Sequence, residues 1–194
     1  MTETIQIDEQ RVALGCLGCY NEGRLAFRWF NAEQLEIIWE EGDMKYDCMT
    51  EAVCKQDDPT HEEWMIQDYD GEINRLNLGE HPFIENLIAH MKNIEEFEPS
   101  TYVPAYLLTG NYISPITPSG VEEMMDEMEV IDRHNLGDWA YELCEDTGYL
   151  DGDGKGAPQG WHPMNYIDWK WVAKDMLHDY TYIEYGDYYY ARRN

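Results

Sequence analysis

The sequence from residue 135 to residue 149, NLGDWAYELCEDTGY, predicts a short helix with one apolar face. At 3.6 residues per turn, five apolar residues share one side of this helix. They are Leu136, Trp139, Ala140, Leu143 and Cys144. Asn135 is a suitable N-cap and Gly148 a suitable C′ residue, so both helix ends are marked.

The acidic residues of this helix are poorly placed for stability. Asp138, Glu142 and Glu145 line another face at i, i+4 and i+7, and Asp146 lies beside them. Like charges at these spacings repel, and the helix dipole disfavours acids in the last turn. Each misplaced acid costs about 0.3–1 kcal/mol of helix stability. A feature that breaks local rules without compensation indicates a functional site, whereas the alternative is a solvated face in a very acidic protein.

The charge of the whole chain points to a basic partner. Forty Asp and Glu against 13 Lys and Arg give a net charge of −27. Nucleic-acid binding requires clusters of Lys and Arg, which this sequence lacks, so direct binding to DNA or RNA is excluded. A DNA-binding groove is the commonest kind of basic surface. Apolar residues make up 43% of the chain, so the acids should be displayed on folded elements rather than on a disordered tail.

Cysteine usage and hydropathy predict a cytoplasmic protein. The sequence has no early apolar signal region and no run of 18 or more apolar residues, so we expect neither export nor membrane insertion. Five Cys is an odd number in such a chain and favours reduced thiols.

The first part of the chain predicts a three-stranded α+β unit after a loose polar end at residues 1–10. Residues 11–19 and 24–30 form β-like runs around an Asn/Gly turn, which predicts a hairpin. Asn31 and Gln34 resemble a capping box for a helix ending near Gly42, and residues 48–56 predict a second helix. Residues 63–69 predict the third strand.

The later sequence predicts helices followed by a hairpin. A helix begins near Pro82 and ends at Pro99, and residues 102–108 predict another short helix. A capping box at Ser119 opens a further helix, and Asn165 with Asp168 caps the last one. The chain ends in a Tyr-rich hairpin, with strands at 180–185 and 188–192. The main role predicted for its tyrosines is packing within the sheet, and the alternative role is in a protein–protein interface.

No motif in this sequence requires catalysis, a cofactor or a metal. Cys16 and Cys19 with Cys48 and Cys54 suggest zinc, but a CxxC within a strand would place its sulfurs on opposite faces, which favours buried core thiols. The loop at 151–162 starts like a calcium site but lacks the ligands at its fifth and twelfth positions. We therefore predict no enzyme, no cofactor and no metal ligand.

Five segments together resemble the ArdA family of antirestriction proteins. They are CLGCYNEGRLAFRWFNA (16–32), EEWMIQDYDG (62–71), LGE (78–80), LGDWAYELCEDTG (136–148) and NYIDWKWVAKDM (165–176). They occur in the family's order, and the fourth lies where the family carries its antirestriction motif. This sequence departs from the family in longer segments at 99–118 and 151–163.

The resemblance implies a DNA mimic encoded by a mobile genetic element. ArdA proteins are elongated α+β homodimers of three small domains in series, with small antiparallel sheets at both ends and a helical middle. We place the domains at 1–78, 79–127 and 128–194. The family occupies the DNA-binding groove of type I restriction–modification enzymes, on the specificity and modification subunits, and blocks restriction as well as modification without catalysis. A DNA mimic directed at another DNA-binding protein, or a small metal-binding protein, are the alternatives.

The predicted partner-binding residues are acids on three helices. Four lie on the opening helix, five follow Ser119, and three lie on the first helix. They are Asp138, Glu142, Glu145, Asp146, Glu122, Glu123, Asp126, Glu127, Glu129, Glu33, Glu36 and Glu40.

Overall fold

Two three-stranded antiparallel sheets lie near the two ends of the chain, and helices occupy most of the sequence between them. The computed structural model describes residues 9–41, 54, 61, 63–110, 114–148 and 166–194. The predicted mixed α+β class is confirmed. Contacts divide the chain into two units, residues 1–122 and 123–194. The division into three domains stays a prediction.

The N-terminal sheet has the strand order β2-β1-β3. Its strands are β1 (Arg11–Cys16), β2 (Phe27–Phe30) and β3 (Trp64–Asp70). Val12 of the central strand pairs with Phe30 on one side and Tyr69 on the other. All three strands are found where they were predicted, although β1 ends three residues early and β2 begins three residues late. The connection from β1 to β2 is not a tight hairpin turn. Residues Leu17–Asn21 form a helix, α1, because the Sγ of Cys16 caps it by accepting a hydrogen bond from the backbone N–H of Cys19 at 3.4 Å.

The predicted capping box begins helix α2 (Ala32–Glu41). The backbone N–H of Asn31 donates to Gln34 Oε1 at 3.1 Å, and the N–H of Gln34 donates to Asn31 Oδ1 at 2.9 Å. The polar N-terminal end is not loose at its last residue. Gln10 is fully buried, and its Oε1 accepts a hydrogen bond from the Ile73 N–H at 2.8 Å, in a 3₁₀ turn at Glu72–Leu76.

Helices α3 (Ile84–Phe97) and α4 (Pro99–Leu108) complete the N-terminal unit's helical core. Pro99 ends α3 as predicted. It also begins α4, three residues before the predicted start of that helix. The first turn of a helix is a position that suits proline. Glu98 between the two helices has a φ of 63°. The buried side chains of these two helices include Leu87, Met91, Tyr102 and Tyr106.

The C-terminal unit packs two helices against a sheet of order β4-β6-β5. The strands are β4 (Glu129–Asp132), β5 (Tyr180–Tyr185) and β6 (Tyr188–Arg193). The helices are α6 (Leu136–Asp146) and α7 (Trp169–Met176). Helix α5 (Pro118–Glu127) precedes β4. The core comprises Ile131, Leu136, Ala140, Ala173, Leu177, Tyr180 and Ala191.

The caps in this part of the chain differ in detail from the predictions. Helix α5 begins at Pro118, and the Thr117 hydroxyl accepts the hydrogen bond from the Gly120 N–H at 3.2 Å, so the predicted cap at Ser119 is wrong. Asp168 caps α7 through the N–H of Trp171 at 3.1 Å. The terminal hairpin is confirmed, with β6 one residue longer than predicted. Asn165, the predicted helix at 48–56 and the loop at 151–162 lie outside the described residues. No helix among the described residues has the length and apolarity needed to cross a membrane.

Candidate functional site: acidic helix faces

Helix α6 has the amphipathic geometry that its sequence predicts. Leu136, Gly137 and Ala140 are buried, and Trp139 is half-buried against the core of the C-terminal unit. A Cβ at Gly137 would lie 3.4 Å from the backbone N of Lys170 and from the Cβ of Trp169, which shows that α6 is in contact with α7 at this position. Gly148 has a φ of 74°, the left-handed conformation expected of a C′ glycine.

The N-terminus of α6 differs from the prediction. Asn135 occupies the N-cap position, but its side chain makes no capping hydrogen bond. Its Nδ2 donates to Asp132 Oδ2 at 2.7 Å instead. Asp132 also accepts from the His134 N–H at 2.8 Å, so the side chain of Asp132 organises the turn between β4 and α6.

The four acids of α6 face solvent on the side opposite the buried residues. Asp138, Glu142, Glu145 and Asp146 are all exposed. At about 100° per residue, their mean direction lies roughly 180° from that of Leu136, Gly137 and Ala140. No ion pair links any of the four to a basic side chain among the described residues. The core thus holds α6 in place, and within the described part of the chain its four charges have no basic partner.

The mean spacing of these charges along the helix axis can be compared with that of a DNA strand, although the individual rises are uneven at about 6, 4.5 and 1.5 Å. From Asp138 to Asp146 the helix rises about 12 Å at about 1.5 Å per residue. Four carboxylates over that length give about one charge per 4 Å. A single DNA strand carries about one charge per 3.4 Å of axis. The acidic face of α6 therefore matches one strand in linear charge density.

The acids that follow residue 119 do not all lie on the helix. Glu122, Glu123, Asp126 and Glu127 are exposed on α5, and Glu127 Oε2 lies 3.8 Å from the Nη1 of Arg192. Glu129 begins β4, so its predicted position on a helix is wrong. Its carboxylate accepts hydrogen bonds from Trp139 Nε1 at 3.3 Å and from the Tyr180 hydroxyl at 3.4 Å.

The acids of the first helix differ from one another. Glu33 and Glu40 are exposed on α2, at spacing that places both on one face. Glu36 is half-buried and forms an ion pair with Lys92 of α3. This contact joins two helices of the N-terminal unit, so Glu36 has a structural role that its sequence position does not reveal. The structure thus places the twelve predicted acids on α2, α5, β4 and α6, and their function stays a prediction.

A second polar cluster is buried in the N-terminal unit. Cys16, Cys19, Cys54 and His61 bring one ligand atom each to within 4.8 Å of one another. All four residues are buried. The prediction that the CxxC sulfurs lie on opposite faces is wrong, because α1 begins directly after Cys16 and a helical turn returns Cys19 to the same side. Cys48 lies outside the described residues.

Sequence reasoning missed His61 as a member of this cluster. The available signal was the pairing of CxxC with a cysteine and a histidine seven residues apart later in the chain. Burial, followed by hydrogen bonds to Cys54 and Cys16, raises the pKa of the Cys19 thiol to about 12. Without a cation in the cluster, Cys19 is therefore a neutral thiol at pH 7.

The fold and the acidic faces define a mixed α+β protein that displays carboxylates on folded helices. Residues 12–190 of the 194-residue chain match the family model described as Antirestriction protein (ArdA). The protein therefore belongs to the ArdA family of antirestriction proteins, and the resemblance seen in the sequence is confirmed. Restriction–modification enzymes are, in general terms, the targets that this membership implies. A search of curated proteins found no match to the chain.

Proposed function

We propose that the protein is a DNA mimic that occupies the DNA-binding groove of type I restriction–modification enzymes. Its carboxylates take the place of DNA phosphates on the specificity and modification subunits. Occupation of the groove blocks both restriction and modification, and the inhibitor performs no chemistry. The observation that carries this proposal is the set of four exposed acids on α6, which have no basic partner among the described residues.

The electrostatics of the target explain why such a surface would bind. A groove that binds duplex DNA neutralises phosphates with Lys and Arg and gains free energy by releasing counterions. Carboxylates on a packed helix are already ordered, so little conformational entropy is lost when they bind. The position of α6 on the core of the C-terminal unit supports this preorganisation.

The proposed surface is distributed over several elements. Exposed acids on α2 and α5 add to those of α6, so a single neutralising substitution should reduce inhibition only slightly. Removal of the four α6 acids together should reduce inhibition clearly without abolishing it.

We further propose that the protein acts as a homodimer. The C-terminal unit exposes large apolar side chains that a partner copy could cover. Trp171 is 64% exposed and Tyr166 is 72% exposed. Aromatic side chains of this kind are enriched at protein–protein interfaces. Sedimentation equilibrium of the wild type and of Trp171→Ala would test this contribution, since an unchanged dimer would remove Trp171 from the interface.

A competition experiment tests the proposal. A labelled duplex containing the recognition site is bound to a type I methyltransferase, and the protein is titrated in at low salt. The account predicts complete and mutually exclusive displacement of the duplex. A ternary complex, or no displacement, would contradict the proposal. In that case, capture of a different DNA-binding protein from host lysate would indicate a DNA mimic with another target.

A further inference from the structure

The buried cluster of Cys16, Cys19, Cys54 and His61, here called the CCCH cluster, has an arrangement that hydrogen bonding does not explain. The Nδ1 of His61 lies 3.3 Å from Cys16 Sγ, 3.4 Å from Cys19 Sγ and 3.4 Å from Cys54 Sγ. A neutral ring nitrogen has either one proton or one lone pair, so it forms one hydrogen bond. Three nearly equal contacts to one nitrogen therefore require another cause.

A disulfide does not account for the cluster either. The sulfurs of Cys19 and Cys54 are 3.3 Å apart, whereas a disulfide bond is about 2.05 Å long. None of Cys16, Cys19 and Cys54 is in a disulfide bond. Three thiols and an imidazole are thus gathered at one point inside the N-terminal unit.

The distances agree with four ligands around one small cation. Zinc takes Cys sulfur at about 2.3 Å and His nitrogen at about 2.0–2.1 Å, in tetrahedral geometry. Those bond lengths put a ligand nitrogen about 3.5 Å from each sulfur and two sulfurs about 3.8 Å apart. Four of the six separations between ligand atoms are 3.3–3.4 Å, slightly shorter than these values, and all six lie within 4.8 Å, so small side-chain shifts would bring the four atoms to tetrahedral positions.

We propose that the CCCH cluster is a structural zinc site with Cys16, Cys19, Cys54 and His61 as its four ligands. Three thiolates and one imidazole are a ligand set that zinc prefers, and four protein ligands leave no open position for catalysis. The thiols lose their protons to solvent when zinc binds, so the cation stabilises charges that burial would otherwise disfavour.

Groups around the CCCH cluster support the ligand assignment. The backbone N–H of Cys19 donates to Cys16 Sγ at 3.4 Å, which helps a thiolate at that position. The other ring nitrogen of His61, Nε2, is buried and lies 3.5 Å from Glu22 Oε1. Metal-bound histidines commonly direct their second nitrogen at a carboxylate, which fixes the ring orientation. Glu22 is held in turn by an ion pair with Arg24.

The site would join separate parts of the N-terminal unit. Cys16 ends β1 and Cys19 lies on α1, whereas Cys54 and His61 come from later in the sequence, before β3. One cation would therefore fix the later ligands against the end of the central strand β1. This role is independent of the acidic helix faces, so the zinc site and the proposed DNA mimicry can fail separately.

Cobalt substitution gives a direct test. Untagged protein is made metal-free under reducing conditions and titrated with Co²⁺, and the visible and near-ultraviolet spectra are recorded. We expect saturation at one equivalent, with the ligand-field bands of tetrahedral cobalt and a thiolate-to-cobalt charge-transfer band, and loss of both on adding one equivalent of Zn²⁺. Weak absorption typical of octahedral cobalt, without charge transfer, would mean binding to surface carboxylates only and would overturn the proposal.

Matched variants assign the ligands. Cys54→Ser should lose most of the charge-transfer intensity or weaken Co²⁺ binding at least tenfold, whereas Cys144→Ser, a control in the C-terminal unit, should leave the spectrum unchanged. His61→Cys should retain tetrahedral binding with a stronger charge-transfer band, because a fourth thiolate replaces the imidazole. The wild-type and Cys144→Ser spectra provide the reference for both ligand variants. If Cys54→Ser and His61→Cys both gave that same spectrum, the ligand assignment would be overturned, whatever the stability of the variants.

Discussion

Neutralising the acidic face of α6 should move stability and inhibition in opposite directions. The perturbation is the fourfold variant Asp138→Asn, Glu142→Gln, Glu145→Gln and Asp146→Asn, which keeps side-chain size and removes four charges. If these acids serve a partner rather than the fold, the free protein should become more stable and the inhibitor weaker. A merely solvated face gives no reason for inhibition to change.

The gain in stability follows from the positions of the charges. Asp138/Glu142, Glu142/Glu145 and Glu142/Asp146 are three repulsive pairs, and their removal gains about 1 kcal/mol in total at about 0.2–0.5 kcal/mol each. Removing the two acids of the last turn gains about 0.3–1 kcal/mol for each acid. Losing Asp138 from the first turn costs a similar amount for that one residue. The net gain is about 1–2 kcal/mol, or about 2–8 °C in Tm for a chain of this size.

A control with the same net charge separates position from total charge. Glu80→Gln, Glu96→Gln, Asp175→Asn and Asp179→Asn also remove four exposed acids, and these positions lie outside the proposed surface. Thermal unfolding and duplex displacement from a type I methyltransferase are measured for both variants at the same salt. Equal losses of inhibition in the two variants, or a destabilised α6 variant, would refute the reasoning.

Three further predictions concern the fold. Burial lowers the pKa of His90 from 6.5 to about 4. Between these two pH values the folded state therefore binds fewer protons than the unfolded state. Stability is lost as the pH falls through this window. The free energy of unfolding should fall by about 2 kcal/mol between about pH 7.5 and pH 5 through this residue. Urea unfolding of His90→Asn should therefore show a pH dependence smaller than that of the wild type by this amount. Equal pH dependences in the two proteins would contradict the prediction. Gly148→Ala should destabilise the protein by about 1 kcal/mol, because the residue has a positive φ, and Gly148→Asn should cost less. Asn31→Ala should lower the free energy of unfolding by about 1 kcal/mol, and a value near zero would mean that the capping box of α2 contributes nothing.

Features encoded by neighbouring residues could be predicted from the sequence. Helix α6 was predictable because its apolar and acidic residues repeat with the helical period over a stretch ended by a glycine. The capping box of α2 and the terminal hairpin were predictable for the same reason, since Asn31 with Gln34 and Gly186 with Asp187 act within a few residues of themselves. The predicted exposure of the α6 acids followed from the position of its buried face.

Features that depend on distant residues could not be predicted in this way. The ion pair of Glu36 with Lys92 joins residues 56 positions apart, and nothing near Glu36 indicates it. The CCCH cluster was misjudged because the period-2 geometry of a strand was extended past Cys16, where a helix begins. His61 reaches that cluster through the tertiary fold, and a single sequence gives no measure of such proximity.

The salt dependence of binding to a type I methyltransferase tests the central claim most directly. If the four α6 acids act as phosphates do, they contribute a slope of about −3.6 to log K against log [salt], so a fourfold rise in salt from about 50 to about 200 mM weakens binding about 150-fold through them alone. The account predicts at least this loss for the wild type and a clearly shallower slope for the fourfold α6 variant. Affinity that is insensitive to salt, or parallel slopes for the two proteins, would contradict DNA mimicry by this surface.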